Sequence, residues 1–356
     1  MEEQRLSQSH RRDLWAVLGI LALALALRFY DLTGESLWYD EAYSVWTSNM
    51  DIVSLPLLWR WQIEFPLYYV LLHCWIKLFG QGEFAVRAFG ALVGALTVIP
   101  MYYLGKALFG RRAGAIGAIL LAVNPYHVWY SQEVRMYACA VLFTLVSVYA
   151  FWRLMHRGGW GWWVAHALVT GLTFHLHYYI GWMVLAENLF YAWWLWRGQG
   201  SLSNGKPWPK LRRWIADQCV VLLLALPAFA VFLTKLLARN QWGWLAERYG
   251  TPELSDLVGL FVTYALGPAF PGSSRLSLVA LAFFGGLAAW GVFALLRCKR
   301  SDLGDERDKG REALYWTLLS LALPISLTFL VGQYASVWVP RYLLLFMPSF
   351  LILVAL

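Results

Sequence analysis

Long apolar segments, separated by short polar ones, occupy most of this chain. A transmembrane helix needs about 20 consecutive apolar residues, and many of the segments approach or exceed that length. The pattern therefore predicts an all-α, polytopic transmembrane helical bundle with about ten spans. The predicted spans lie near residues 14–30, 88–108, 113–128, 136–154, 160–177, 180–196, 214–236, 275–297 and 313–332, and a tenth begins at Tyr342 and reaches Leu356.

Two shorter apolar runs, residues 66–79 and 254–266, are predicted not to cross the membrane. Their 14 and 13 positions are typical of an interfacial or re-entrant helix rather than of a span. His73 and Lys77 in the first run and Asp256 in the second favour helices that lie at the membrane surface.

The composition agrees with a membrane protein. Hydrophobic residues make up 60% of the chain, aromatic residues 17% and charged residues 14%, with a mean hydropathy of +0.52, which excludes a soluble globule. The sequence contains no internal repeat and no separate soluble region. Residues 1–356 are therefore predicted to form a single domain.

The basic residues fall in short loops between the apolar segments. The net charge is +8, but the cations form no single patch, so nucleic acid is not expected as a partner. The positive-inside rule places these loops in the cytoplasm. The first loop (31–87) and a later one (237–274) are then extracytoplasmic. We predict an integral, multi-pass protein of the plasma (inner) membrane, with the lipid bilayer as a partner.

Asp40 and Glu41 stand side by side just after the first span, in a chain with only 21 acidic residues. Carboxylates at the edge of a bilayer are costly unless solvated, paired or metal-bound, which makes the pair a functional candidate. One of them could instead cap the start of an interfacial helix. That role does not require two adjacent carboxylates, so the pair is predicted to be the chemical centre.

The remaining unusual polar residues are predicted to converge on the same face. Carboxylates and histidines could bind a divalent cation, and arginines suit a phosphate-bearing ligand. Purely structural roles stay open: Glu133 and Arg135 could simply pair with each other, and Arg341 could be an ordinary interfacial anchor. Histidines at 175 and 177 point to different faces of a helix, which favours satisfied interfacial side chains over a shared metal. The candidates on this face are Glu64, Glu133, Arg135, His175, His177 and Arg341.

Such a site at a membrane surface suits group transfer from a lipid-linked donor. A carboxylate can act as a general base on an acceptor hydroxyl, while an arginine or a cation stabilises a leaving phosphate. Neither a Walker A loop nor a Rossmann glycine fingerprint is present, so a cytosolic nucleotide donor is not supported. The main alternative is a transporter or flippase of lipid-linked sugars, in which charged residues lie nearer the bilayer midplane. A structural membrane subunit and an oligosaccharide polymerase or ligase are further alternatives.

Six short motifs carry a resemblance to a known family. The motifs are LWYDEA at 37–42, FPLYY at 65–69, EFAVR at 83–87, LFGRR at 108–112, YSQEVRMYA at 130–138 and RYL at 341–343. Together they resemble the polytopic GT-C glycosyltransferases, specifically the bacterial relatives of dolichyl-phosphate-mannose–protein mannosyltransferase, which are related to the lipid A aminoarabinose transferases.

The resemblance implies a hexosyl or pentosyl transferase of the cell envelope, working on the extracytoplasmic face. A mannose-like or other sugar would pass, with inversion, from a polyprenyl-phosphate donor to an acceptor hydroxyl on a protein, lipid or glycan. In the family the acidic first-loop motif supplies the base, which is Asp40 here, with Glu41 in support. Arg341, and more weakly Arg135, would contact the donor phosphate. The other expected substrate contacts are Glu133, His177 and Tyr39.

One departure from the family concerns the metal and the sugar. Many relatives carry His-Pro-Pro before the Leu-Tyr-Tyr motif, whereas this chain has Glu64-Phe65-Pro66. A glutamate at the comparable place helps to bind metal in the aminoarabinose transferases. Glu64 and Asp40 are therefore the expected ligands of a divalent metal ion. Family members usually continue beyond the tenth span, so the C-terminal end is expected to be truncated.

Overall fold

The computed structural model describes residues 2–53, 66–197, 208–237, 250–268, 274–297 and 304–356. All regular elements in these ranges are helical, which confirms the all-α prediction. The helices are α1 (Glu2–Phe29), α2 (Tyr39–Ser48), α3 (Leu67–Phe79), α4 (Glu83–Leu96), α5 (Val98–Phe109), α6 (Arg111–Val123), α7 (Pro125–Gln132), α8 (Tyr137–Arg157), α9 (Trp160–Thr173), α10 (Ile180–Trp196), α11 (Trp208–Leu237), α12 (Leu254–Leu266), α13 (Arg275–Arg297), α14 (Gly304–Gly332), a 3₁₀ helix (Pro340–Phe346) and α15 (Met347–Val354).

The predicted count of ten spans is not confirmed. Within the described ranges, five helical segments are long and apolar enough to cross a membrane, and several other predicted spans correspond to shorter helices. The five segments are Glu83–Phe109, Tyr137–Arg157, Leu211–Ala230, Arg275–Arg297 and Asp308–Gly332.

Local backbone chemistry affects two of the predicted spans. The run 88–108 lies within the span-length segment Glu83–Phe109 and has only a local turn at Thr97, between α4 and α5, where the Thr97 hydroxyl donates to the Gly94 carbonyl at 2.5 Å. The run 113–128 divides at Asn124, whose side chain accepts from the His127 backbone N–H at 2.9 Å and so caps α7. Pro125 follows at the first position of α7, where its missing N–H costs no helical hydrogen bond. Hydrophobic runs alone do not reveal such breaks.

The two runs predicted not to cross are short helices. α3 and α12 have 13 residues each, which gives a length of about 20 Å at 1.5 Å per residue. The hydrocarbon core of a bilayer is about 30 Å thick, so neither helix is long enough to cross it alone.

Contacts between helix ends bring several of the basic loops to one end of the bundle. Asp13 of α1 accepts from the Tyr102 hydroxyl at 2.7 Å and pairs with Arg111 at 2.8 Å, and Lys106 also binds its carboxylate. The start of α1 therefore lies beside the turn between α5 and α6. This arrangement agrees with the predicted sidedness of these two charged segments.

A close helix contact fixes the opposite end. Gly90 and Gly94, four residues apart on α4, face Ser131 of α7. A Cβ atom at Gly90 would lie 2.7 Å from the Ser131 carbonyl oxygen, and one at Gly94 would overlap the Ser131 side chain. Only glycine allows this approach, which holds the segment that follows α7 against α4.

Arg28 anchors the end of α1 at this same place. Its buried guanidinium donates to the carbonyls of Ala122 (2.9 Å) and Leu121 (3.1 Å) and bonds His127 Nδ1 at 2.8 Å. Further bonds to the Ala24 carbonyl and the Ser131 hydroxyl occupy its remaining donors. The first loop therefore leaves the bundle from a fixed point.

Candidate active site

Glu41 is completely held by its surroundings. α2 begins at Tyr39, so Asp40 and Glu41 lie in its first turn. The Glu41 side chain is only 1% exposed. Its two oxygens accept from Arg87 Nε at 3.0 Å and Nη2 at 2.6 Å, from the Val134 N–H at 3.1 Å and from the Trp38 N–H at 3.3 Å. Glu41 therefore ties α2, α4 and the segment after α7 together.

Arg87 ends the EFAVR motif at 83–87, but the sequence analysis gave it no role in the site. Besides Glu41, its guanidinium donates to the carbonyls of Leu32 (2.8 Å), Glu35 (2.6 Å) and Ser36 (3.2 Å). The planar guanidinium has five N–H donors and can therefore bond the carboxylate and the three carbonyls at once. The signal available in the sequence was an arginine four residues into an apolar helix, where burial requires a partner.

The carboxylate of Asp40, unlike that of Glu41, has no bonded partner among the described residues. The Asp40 side chain is partly exposed. The Asp40 backbone is fixed, because its carbonyl accepts from the Ser44 hydroxyl at 2.8 Å within α2. Tyr39 is 81% exposed beside it. A positioned carboxylate with free acceptor capacity is what a general base needs, and the role of Asp40 stays a prediction.

Glu133 and Arg135 lie next to this turn. The Arg135 Nη1 atom donates to the Ser44 hydroxyl of α2 at 3.4 Å, and Glu133 Oε1 accepts from Trp129 Nε1 at 2.9 Å. Burial raises the pKa of Glu133 to about 7, although its Trp129 hydrogen bond lowers the pKa; the charge of Glu41 adds to the rise. Glu133 thus changes its charge near neutral pH.

Arg341 and His177 complete the same end of the bundle. Arg341 opens the 3₁₀ helix, and its charge acts on both Glu133 and His177. Burial, assisted by Arg341, lowers the pKa of His177 to about 3, so the imidazole is neutral. The Tyr179 N–H donates to His177 Nδ1 at 3.2 Å, which assigns the ring proton to Nε2.

A group of tyrosines surrounds these residues and links four parts of the fold. Neighbouring rings in this group lie 4.8 to 6.4 Å apart, in edge-on or tilted arrangements that favour their packing. The sequence motifs did not identify the group, although the pairs Tyr178-Tyr179 and Arg341-Tyr342 hinted at it. The contacts join Tyr126 to Tyr130 (5.1 Å), Tyr130 to Tyr137 (5.0 Å), Tyr137 to Tyr342 (6.4 Å), Tyr342 to His177 (4.8 Å) and Tyr178 to Tyr179 (4.9 Å).

The structure therefore brings most of the predicted site residues to one end of the bundle. The buried polar atoms there that have no hydrogen-bond partner among the described residues include Glu133 Oε2, His177 Nε2 and the Tyr126 hydroxyl. The charge of Arg341 acts on all three of these side chains. Buried polar groups are nearly always paired, so this arrangement indicates a place for a polar ligand or ordered water.

The predicted metal site cannot be assembled from the described residues alone. Glu64 lies outside them, and within them no group of three or more His, Cys, Asp or Glu side chains could hold a metal ion. A divalent ion bound by Asp40 and Glu64 stays a prediction, and no chemical step is derived from it. His175 takes no part, because its Nε2 atom bonds the Leu224 carbonyl at 2.8 Å.

A second polar cluster corrects the expectation that unusual polar residues converge on one face. His166, Glu187 and Asp217, on α9, α10 and α11, are fully buried inside the bundle. His166 Nδ1 lies 2.7 Å from Asp217 Oδ2, and its Nε2 lies 3.2 Å from Glu187 Oε2. The signal in the sequence was one ionisable side chain in each of three successive predicted spans, and membrane-embedded charges of this kind usually have partners.

Comparison with known proteins supports the resemblance that the motifs predicted. Residues 64–216 match the sequence profile of the family described as dolichyl-phosphate-mannose-protein mannosyltransferase. The candidate mannosyltransferase YkcB of Bacillus subtilis is 28% identical over 127 residues, which are 35% of this chain and 18% of that protein. The predicted resemblance to this family is confirmed.

Solved structures extend the likeness over almost the whole chain. ArnT from Cupriavidus metallidurans, bound to undecaprenyl phosphate, superposes with a TM-score of 0.62 at 18% identity, covering 96% of this chain and 59% of ArnT. The oligosaccharyltransferase AglB of Archaeoglobus fulgidus, in complex with an inhibitory peptide and dolichol-phosphate, gives 0.57 at 12% identity, covering 95% and 49%. The fold is that of the GT-C glycosyltransferases. The chain thus spans about half to three fifths of the length of these GT-C structures.

Proposed function

We propose that this protein is a membrane glycosyltransferase that moves a sugar from a polyprenyl-phosphate donor to an acceptor hydroxyl. The observation that carries the proposal is the contrast between two adjacent acids. Glu41 is saturated by Arg87 and backbone N–H groups, while the Asp40 carboxylate has no partner among the described residues. The free carboxylate lies at the end of the bundle that also holds Arg135 and Arg341.

Asp40 acts as the general base in this proposal. It takes the proton of the acceptor hydroxyl while the hydroxyl oxygen attacks the anomeric carbon of the donor sugar. The bond from the anomeric carbon to the phosphate oxygen breaks, and the polyprenyl phosphate leaves with the electron pair. Attack on the face opposite to the phosphate inverts the configuration. The Glu41–Arg87 pair keeps the turn that carries Asp40 in place.

Arg341 and Arg135 bind the donor phosphate in this proposal. Charge grows on the phosphate oxygen as the glycosidic bond breaks, and guanidinium groups already held nearby stabilise that charge without reorganisation. His177 can donate one hydrogen bond from Nε2 to the same ligand. Glu133 and Tyr39 are left to contact the sugar or the acceptor.

The related proteins support a lipid-phosphate donor. ArnT was solved with undecaprenyl phosphate, and AglB with dolichol-phosphate. The description of the matching family, and the name of the Bacillus relative, favour mannose among the possible sugars. The Archaeoglobus enzyme was also solved tethered to an acceptor peptide, which favours a protein acceptor over a lipid or glycan. We place the reaction on the extracytoplasmic face of the plasma membrane, opposite the basic loops.

The test is turnover of a defined donor by the reconstituted full chain. Polyprenyl-phosphate sugars of several kinds are supplied with acceptor peptides, and release of polyprenyl phosphate is measured. We expect one donor to be consumed and Asp40→Asn to lower turnover by about 10² to 10⁴-fold, the range usual for general-base removal. Asp51→Asn, which alters an exposed acid beyond α2, is the matched control and keeps wild-type turnover. Consumption of no donor, or full activity of Asp40→Asn, refutes the proposal.

A transporter or flippase of lipid-linked sugars is the second candidate function. The observation in its favour is the ionisable cluster of His166, Glu187 and Asp217 inside the bundle, where transporters carry such groups. Against it, the three side chains are fully buried and both ring nitrogens of His166 are bonded. Liposomes that contain the protein and a fluorescent polyprenyl-phosphate sugar distinguish the two. Acceleration of transbilayer movement without any acceptor would favour transport.

A further inference from the structure

A cavity of about 710 Å³ lies at the end of the bundle opposite the candidate active site. It is formed where α8 ends, α9 and α11 begin and α10 ends. α8 runs from Tyr137, in the tyrosine group, to Arg157, in the cavity wall. Its 21 residues correspond to about 30 Å at 1.5 Å per residue. The cavity is therefore separate from the proposed glycosyl-transfer site.

Aromatic rings form much of the cavity wall. Trp160 and Trp163 stack at 4.8 Å with their planes 17° apart, and Tyr191 and Trp214 stack at 4.6 Å and 16°. The Trp163 indole N–H donates to the Arg213 carbonyl at 3.2 Å, which fixes α9 against α11 at the cavity. Paired aromatic rings offer flat apolar surfaces and are typical of the membrane–water interface.

Two arginines supply the charge of the cavity. Arg157 and Arg213 are both exposed, and neither guanidinium has a hydrogen bond or ion pair among the described residues. None of the described residues that line the cavity is acidic. His156, which also lines it, is engaged elsewhere, since its Nε2 atom lies 3.1 Å from Glu312. The cavity is thus an apolar space with unneutralised positive charge, complementary to a phosphate on an apolar body.

Two of the helices that bound the cavity, α9 and α11, carry exposed apolar side chains beyond it. α9 exposes Leu168 and Leu172, and α11 exposes Leu222 and Leu226, each at least 38% accessible. These side chains follow the cavity residues Trp163 and Arg213 along α9 and α11, so they lie farther from the end of the bundle that holds the cavity. Acyl chains can therefore lie against the same two helices that hold the headgroup.

We propose that this cavity is a binding site for an anionic phospholipid of the leaflet on that side. The lipid phosphate lies between Arg157 and Arg213, and the glycerol and first acyl carbons contact the stacked rings. A phospholipid fits better than a free phosphate, because the stacked rings would give a free phosphate no apolar partner. The proposal is independent of the glycosyl-transfer reaction, since it uses none of the residues of that site.

Lipid binding to the delipidated full chain in detergent tests the proposal. Native mass spectrometry gives the apparent Kd of the first bound dioleoylphosphatidylglycerol and, separately, of dioleoylphosphatidylcholine. We expect the anionic lipid to bind at least about fivefold more tightly. Arg157→Gln and Arg213→Gln should each weaken its binding about fivefold, the effect of one basic residue near a membrane surface.

Arg212→Gln is the matched control. It removes the same charge from the adjacent, exposed position of α11, which does not line the cavity, and should leave the Kd within about twofold of wild type. An Arg212→Gln effect equal to that of Arg213→Gln would mean general surface attraction and would overturn the proposal. Equal binding of the two lipids by the wild-type protein would also overturn it.

A second variant tests the cavity rather than its charge. Ala216→Trp adds a large side chain in the cavity wall while both arginines remain. We expect it to weaken phosphatidylglycerol binding at least about fivefold, with an unchanged melting temperature of the delipidated protein. Unchanged lipid binding by a folded Ala216→Trp protein would place the lipid outside the cavity and so refute the proposal.

Discussion

Two groups of acidic and basic side chains in this bundle differ in their access to solvent and in whether each ionisable side chain has a partner. In the interior group, His166 bonds Asp217 and Glu187, and Gln218 donates to Asp217 at 3.1 Å. Asn188 binds Gln218 at 2.8 Å and extends the group. All three ionisable members are inaccessible to solvent. This group joins α9, α10 and α11 from within.

The group around Asp40 is only partly closed. Both oxygens of Glu41 are bonded, but Asp40 is partly exposed and its carboxylate has no partner among the described residues. Glu133 and His177 each retain one buried atom without a partner in those residues, as Glu187 and Asp217 do in the interior group. Ionisable groups in a membrane are costly in both places. In the closed group, which is inaccessible to solvent, every ionisable side chain has a partner within the chain, whereas the open group contains an accessible carboxylate, that of Asp40, with no partner among the described residues. The comparison predicts that mutations in the first affect stability and mutations in the second affect activity.

The largest stability effect is expected at the closed part of the site itself. Arg87→Leu leaves the Glu41 carboxylate buried without its cation, and breaking a buried pair in this way costs about 3–5 kcal/mol. The free energy of unfolding in mixed detergent micelles measures the loss. Arg112→Leu, at an exposed position on α6, is the control and should change stability by less than about 0.5 kcal/mol. A loss below about 1 kcal/mol for Arg87→Leu would show that the pair does not hold the first loop.

Disruption of the interior group should be the next largest effect. Asp217→Asn removes the carboxylate that binds His166 Nδ1, so we expect a loss of about 2–3 kcal/mol in the unfolding free energy. The turnover of the protein that remains folded should be unchanged. A triple replacement of His166, Glu187 and Asp217 by leucine or methionine should recover most of that stability, because a packed apolar core can replace a buried ionic group.

If Asp217→Asn stays as stable as wild type but loses turnover, the predicted assignment of stability to the interior group would be wrong. The interior group would then take part in the activity, and the transporter interpretation would gain support. The measurement therefore separates two functions as well as two roles. Gln218→Glu is unsuitable as a control, because it adds a charge beside Asp217.

The sequence allowed the fold class to be predicted, because the length of an apolar run is a local property set by bilayer thickness. The number of spans was harder, since the helix break at Asn124 depends on a single side-chain hydrogen bond within a continuous apolar run. The sidedness of the chain, inferred from its basic loops, stays a prediction. Contacts of Asp13 with Lys106 and Arg111 place two of these segments together.

The candidate site was predicted as a set of residues but not as an arrangement. Adjacent acids look equivalent in a sequence, and only the position of Arg87, 46 residues later, distinguishes the held Glu41 from the free Asp40. The interior group was missed for a similar reason. Its members are 21 and 51 residues apart, and no motif connects them.

A moderate effect on donor binding is expected at Arg341. Arg341→Gln removes a charged donor from the proposed phosphate site, which is worth about 1.5–3 kcal/mol and therefore raises the donor KM about 10- to 100-fold. Stability should fall by less than about 1 kcal/mol, in contrast to Arg87→Leu. The matched control is Arg275→Gln, at an exposed helix start on α13. An unchanged donor KM in Arg341→Gln would remove Arg341 from the phosphate site.

The smallest predicted effect is the pH dependence of Glu133. Its pKa is raised from 4.5 to about 7, chiefly by burial, so the folded protein binds this proton more tightly than the unfolded chain does. The stabilisation is complete below about pH 4.5 and is lost as pH rises towards 7. The melting temperature of the wild-type protein, compared with that of Glu133→Gln, should therefore fall as the pH rises from 4.5 to about 7. The pKa of His177 falls from 6.5 in the unfolded chain to about 3 in the folded protein, so His177 also changes stability in this window, but equally in both proteins, and its effect cancels in the comparison.

The same titration should appear in donor binding, which connects Glu133 to the open group. Below pH 7 Glu133 is mostly neutral, and above it an anion lies within reach of the charge of Arg341. The wild-type donor KM should therefore rise severalfold from pH 6 to pH 8, because a negative charge next to the phosphate site opposes an anionic donor. The KM of Glu133→Gln should stay nearly constant over this range. If the donor KM of wild type and that of Glu133→Gln depend on pH in the same way, Glu133 has a structural role. The residues proposed to contact the donor are then Asp40, His177 and the two arginines.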